Sequence, residues 1–133
     1  MRATIFGVIG WVMLSFGAAA EPEDFQAIID RQITAFLADD FAEAFTFATP
    51  NLRQYFRTPE NFGLMVRQGY PMVWRPDTVT FLDHREEQGA FFQRVQIIDQ
   101  AGDLHILEYR MVMAEGDWRI GGVRILDASD FSA

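Results

Sequence analysis

At Tyr70 the spacing of apolar residues changes, and that switch constrains the fold more than any other feature of the chain. Before it, apolar residues recur every three or four positions. Phe25, Ile28, Ile29, Ile33, Phe36 and Leu37 form one stripe, as a helix with a single buried face requires. After it the repeat is two, the mark of half-buried strands. A chain with helices first and consecutive strands after them is expected to gather its helices on one face of an antiparallel sheet.

The local punctuation divides each half. A helix over 23–38 is expected to break at Asp39-Asp40, and Asp40 can cap a second short helix through about Phe45. Pro50 ends that helix, because the residue before proline avoids helical geometry. A short turn from Asn51 carries Leu52, Tyr55 and Phe56. Thr58-Pro59-Glu60 opens a third helix with a hydroxyl cap, a first-turn proline and an acid at the positive end; it runs to about Gln68 and stops at Gly69.

Tyr70–Trp74 reads as a short extended piece between Pro71 and Pro76, and Thr78–Leu82 as a strand. His84–Gly89 reads as a solvated connection. The strand Phe91–Ile98 follows, then a hairpin loop Asp99–Gly102 with glycine placed for positive φ. Leu104–Met113 comes next, then a tight turn at Glu115-Gly116 and a last strand Trp118–Leu126. Gly121-Gly122 predicts a bulge that lets Trp118, Ile120, Val123 and Ile125 all face the core. The expected architecture is therefore α+β: three N-terminal helices on one face of a curved antiparallel sheet of four to five strands, with a polar tail that frays from about residue 127.

The N-terminus predicts a compartment. Met1-Arg2, an apolar run from Ile5 to Phe16 and Ala18-Ala19-Ala20 have the layout of a secretory signal peptide, and the run is short for a bilayer span of ~20 residues. Residues 1–20 are thus expected to be removed after Ala20. That leaves 21–133 as one domain, periplasmic or secreted, with no membrane attachment after cleavage. Without Arg2 it has 10 basic and 19 acidic residues, a net charge of −9 against −8 for the whole chain. Such a surface repels phosphate backbones, so nucleic acid is a poor partner.

There is no cysteine, which excludes disulfides, thiol nucleophiles and thiolate metal sites. All eleven basic residues are arginine, which excludes lysine bases and Schiff-base chemistry. The two histidines, at 84 and 105, lack metal-ligand spacing, and no metal or cofactor is expected.

Helices followed by a meander whose last strand opens Gly116-Asp117-Trp118-Arg119-Ile120 resemble the nuclear-transport-factor-2-like, cone-shaped α+β superfamily. More narrowly, several motifs together resemble a family of short exported proteobacterial proteins known as domain of unknown function 4864. They are Tyr70-Pro71-Met72-Val73, Val79-x-Phe81-Leu82, Gln96-Ile97-Ile98-Asp99-x-x-Gly102, Tyr109-x-Met111 and Trp118-Arg119-Ile120-x-Gly122-Val123. The resemblance covers nearly all of 25–126. It implies a pocket-forming fold and an exported protein, and no activity.

Alternation on 104–113 puts His105, Leu107, Tyr109, Met111 and Met113 on an inner face, and Leu104, Ile106, Glu108, Arg110 and Val112 on an outer one. His105 and Tyr109, ~13 Å apart along the strand, could fix a ligand on an apolar wall. The plainer reading is a rim histidine and a core tyrosine whose hydroxyl finds a backbone partner. Tyr55, Tyr70 and Trp74 complete the pocket candidates; Trp74, framed by prolines, could instead shield the core at an edge.

Two functions follow as expectations. The first is non-catalytic binding of a small apolar ligand or a protein partner, with a homodimer through Leu104, Ile106 and Val112 as one form of the latter. The second is a small periplasmic isomerase, dehydratase or cyclase. It would need His105 or Tyr109 within one hydrogen bond of an ionisable group inside a cavity. Possible histidine–acid pairs are His84 with Asp83 or Asp77, and His105 with a distant acid such as Asp30.

Overall fold

A computed structural model describes residues 21–130; the proposed signal peptide, 1–20, lies outside the described residues. Helix α1 (Pro22–Leu37) begins with proline in its first turn beside Glu23 and Asp24, where the positive end of the helix favours acids. Most of its stripe is buried: Phe25, Ile28, Ile29, Ile33 and Phe36 are all at most 4 % exposed, but Leu37, expected in the same stripe, is 48 % exposed at the last position of the helix. Asp39, at φ 54°, stops it. Asp40 then caps α2 (Phe41–Thr46), its carboxylate accepting from the Glu43 N–H at 3.1 Å.

Five helices form where three were expected. Pro50 does more than end α2. With the Thr49 hydroxyl accepting from the Leu52 N–H, it starts α3 (Pro50–Phe56), which replaces the expected turn at Asn51. Thr58 caps α4 (Pro59–Gly69) in the same way. Pro71 repeats the device: α5 (Pro71–Trp74) is one helical turn where an extended piece was expected, and the Tyr70 carbonyl accepts from the Val73 and Trp74 N–H groups. A proline at the first helical position is pre-set for helix, and this outweighs the extended bias it puts on the residue before it.

Four antiparallel strands follow in the order of the chain: β1 (Pro76–Glu87), β2 (Ala90–Asp99), β3 (Leu104–Ala114) and β4 (Asp117–Leu126). β1 is longer than Thr78–Leu82. The charged stretch expected as a connection is strand, with Arg85 opposite Phe92 and Glu87 opposite Ala90, and only Gln88-Gly89 turn. Charge on an edge strand guards it against further pairing, so polarity there does not signal a loop. The bulge falls where the paired glycines place it: Arg110 pairs with Gly122, Met111 pairs with Ile120, and Gly121 is the extra residue. After β4, Ala128–Asp130 form a 3-10 turn in which the Ser129 N–H donates to the Asp127 carboxylate and the Asp127 N–H to the Asp130 carboxylate.

The helices cover one face of the sheet. Val95, Ile97, Leu107, Tyr109 and Met111 are fully buried beneath α1, in the register that alternation on β3 required. Trp118 and Ile120 join them, but Ile125, expected in the core, is 43 % exposed. It shares the face of Leu107, yet sits near the end of an edge strand.

Candidate functional site

The helix that starts at Thr49 is stitched to β4 through the connector before it. The Ile120 N–H donates to the Phe47 carbonyl at 2.8 Å, the Thr49 N–H donates to the Ile120 carbonyl at 3.0 Å, and Ala48 and Ile120 form a short parallel bridge. Arg119 adds a bond to the Thr46 carbonyl at 2.9 Å. On the other side, the Tyr70 hydroxyl donates to the Val123 carbonyl at 3.0 Å. These two attachments hold α3 and the α4–α5 junction against the bulged stretch of β4.

A cavity of about 230 Å³ lies between them. Each element contributes by its own periodicity: Gln32 and Phe36 are four apart on α1, Leu52 and Phe56 four apart on α3, and Phe62, Met65 and Val66 share one face of α4. Ile120 and Val123 close the floor from either side of the bulge. The wall is overwhelmingly apolar, and Gln32 and Tyr70 are its polar side chains. Ring packing makes the aromatic side rigid: Phe62 lies 5.8 Å from Phe36 and 5.5 Å from Phe56 between ring centres.

Of the five residues singled out from the sequence, Tyr70 lines this cavity. Tyr55 is 78 % exposed on α3, with its ring against Phe56. Trp74 donates its indole N–H to Asp39 at 2.9 Å and carries the Arg75 guanidinium 4.2 Å above its ring. The Trp74 bond, with Arg75 behind it, holds the Asp39 carboxyl below its ordinary range. Tyr109 is fully buried, and its hydroxyl finds no partner among the described residues, where a backbone partner was expected. Burial pushes its ionisation up, with Tyr70 adding to the effect. The expected wall around Leu107, Tyr109 and Met111 is packed solid, and the hollow lies beside it, towards β4.

His105 does pair with an acid, a near one six residues away in place of a distant one such as Asp30. Its Nε2 is 2.8 Å from Asp99 Oδ2, across the β2–β3 hairpin, and the other carboxylate oxygen accepts from the Ala101 and Asp103 N–H groups. This bonding, the His105 contact first, lowers the Asp99 carboxyl. Neither His105 nor Asp99 lines the cavity. His84 packs its ring against Phe25, 5.8 Å between centres.

The outer sheet face carries a second arrangement. Glu108 was correctly placed there by alternation, yet its side chain is only 4 % exposed. Arg85 donates to it at 2.7 Å, Arg124 at 3.3 Å, and Arg94 lies at 3.5 Å. Arg85 is stacked over Phe92 at 4.6 Å. The Arg85 bond above all holds the Glu108 carboxyl below its ordinary range. This cluster lies between Ile106 and Val112, the patch expected to pair two copies.

The lining residues the sequence reading passed over are Gln32 and the α3 and α4 side chains. Their signal was there: Gln32 interrupts the apolar stripe of α1, and Phe62, Met65 and Val66 have helical spacing. What they face is not written in that spacing.

Helices on one face of an open antiparallel four-strand meander, with an apolar hollow between the layers, define an α+β domain built round a one-sided sheet. Residues 18–133 match the family model described as Domain of unknown function (DUF4864), and the chain belongs to that family. Comparison with curated proteins gives no match. Among solved structures, the chain is similar to a SEC-C motif containing protein from Rhodopseudomonas palustris. The two are 15 % identical with a TM-score of 0.55, over 76 % of this chain and 77 % of that one. At that identity the likeness is one of fold alone.

Proposed function

We propose that this domain is a non-catalytic binding module that holds a small apolar molecule in the cavity between α1, α3, α4 and β4. The observation that carries the reading is an apolar hollow of about 230 Å³ in a domain whose remaining core is closely packed. Apolar cavities take up apolar molecules of matching size; an engineered one of about 150 Å³ holds benzene. The isomerase or dehydratase reading would draw on His105 or Tyr109, and neither faces this space.

The finer fold assignment, to the nuclear-transport-factor-2-like superfamily, is part of the same proposal. It is supported by the order of elements and by the Trp118-Arg119-Ile120 closing strand. Export with cleavage after Ala20 is proposed from the N-terminal sequence.

Thermal unfolding with 4-ethyltoluene tests the binding. At ten times Kd a ligand of the folded state adds about 1.4 kcal/mol, or roughly 5 °C for a domain of this size. Val123→Phe, on an edge strand and half-buried, fills the floor of the hollow and is expected to abolish the shift while the protein still folds. No shift in the unsubstituted protein up to the solubility limit would refute the reading.

A further inference from the structure

We propose that the ligand of this cavity is a neutral, single-ring-sized molecule that donates one hydrogen bond, an alcohol or a phenol, and that the Gln32 side-chain carbonyl receives it. The inference rests on the binding reading above and adds the chemistry of the ligand.

Gln32 is 3 % exposed and lines the hollow. Its Nε2 donates to the Ala44 carbonyl at 3.1 Å, and this fixes which end of the amide is which, because a carbonyl can accept only from the nitrogen. Oε1 has no hydrogen-bond partner among the described residues. Oε1 is not among the sealed, unpaired polar atoms of the described residues, so it opens on the hollow, where water can meet it until a ligand donor takes that place. Here its bonded half is turned to α2, and its open half is an acceptor on an apolar wall. Tyr70 presents the same sign: its hydrogen goes to the Val123 carbonyl, so its oxygen is left to accept. Both polar groups of the lining thus ask for a donor.

Charge narrows the class. No arginine or histidine lines the hollow. An ionised carboxylate would meet bare carbonyl oxygen and no cation, and a cation would meet no carboxylate. Size narrows it further. Scaling from the benzene-sized cavity, 230 Å³ holds roughly nine non-hydrogen atoms.

Isothermal titration with four probes of similar size tests this. The probes are 4-ethylphenol (a donor), 4-ethyltoluene (no polar group), 4-methylacetophenone (an acceptor only) and 4-methylbenzoate (an anion). The phenol is expected to bind about 5- to 10-fold tighter than the hydrocarbon, as one neutral hydrogen bond allows. The ketone and the carboxylate are expected to bind no tighter than the hydrocarbon. In Gln32→Met the preference should vanish: the ratio of phenol to hydrocarbon affinity, measured within that variant, should fall to about one. The Ala44 carbonyl keeps the Phe47 N–H in that variant, so the helix end is not left bare. The comparison within the unsubstituted protein stands even if the variant folds poorly. Hydrocarbon binding without preference for the phenol, a preference that survives Gln32→Met, or tighter binding of the ketone or carboxylate would each overturn the inference and leave the binding reading intact. Failure of all four to bind would remove both.

Discussion

Replacing Tyr109 by phenylalanine is expected to stabilise this protein. The side chain is fully buried, and its hydroxyl has no hydrogen-bond partner among the described residues. An unpaired buried hydroxyl costs about 1–3 kcal/mol of desolvation. Removing the oxygen regains that and forfeits a few dispersion contacts of about 0.1–0.2 kcal/mol each. The balance is a gain of about 1 kcal/mol, or roughly 4 °C in Tm for a domain of this length.

The pH dependence supplies an independent readout. Burial raises the Tyr109 pKa in the folded state above its ordinary value of 10.0. The group's contribution is therefore fully present below pH 10 and is lost as pH rises towards the folded value, because the unfolded chain releases the proton first. At pH 11 that loss is about 1.4 kcal/mol, and Tyr109→Phe should not show it. Urea unfolding followed by circular dichroism at pH 7 and pH 11 measures both effects. The variant's midpoint should be higher at both pH values, by more at pH 11, with the slope m unchanged. A variant destabilised by more than about 0.5 kcal/mol at pH 7 would refute the argument, because it would mean that the hydroxyl is satisfied.

Glu108→Gln is expected to cost about 1–2 kcal/mol, less than for a fully buried ion pair, because Arg85, Arg94 and Arg124 are 42, 30 and 60 % exposed and can be rehydrated. Its depressed carboxyl contributes stability above pH 4.5 that is lost as pH falls through the folded value; acid titration of the variant should lack that part of the loss. Gly63→Ala would place a Cβ 2.6 Å from Phe41 Cδ1, so the ~1 kcal/mol helix gain of alanine should be outweighed by overpacking between α2 and α4, for a net loss of about 1 kcal/mol in chemical unfolding. Unchanged stability in Gly63→Ala would show that Phe41 swings aside freely.

The elements themselves were readable because their causes lie within a few residues. Asp40 and Thr58 cap the helices that their positions predict, Gly102 turns the β2–β3 hairpin at φ 88°, and the paired glycines of β4 give the bulge. Alternation assigned both faces of β3 correctly because a strand has only two. Where local signals conflicted, the reading slipped. Pro50 and Pro71 each mark an end and a beginning, and charge in His84–Glu87 looked like a loop on what is an edge strand.

Other features depend on residues far apart in the chain, and no window of sequence contains them. Glu108 is buried on an outer face because Arg85 and Arg124 reach it from strands 23 residues before and 16 residues after it. The hollow exists because Thr49 and Tyr70 tie two separate helices to one bulge in β4, leaving Gln32 at its wall. The sequence alone determined most of what each segment becomes, since hydrogen bonding and periodicity act locally. Only the tertiary structure decided which faces meet and where they fail to fill the space between them, since packing is settled by all the elements at once.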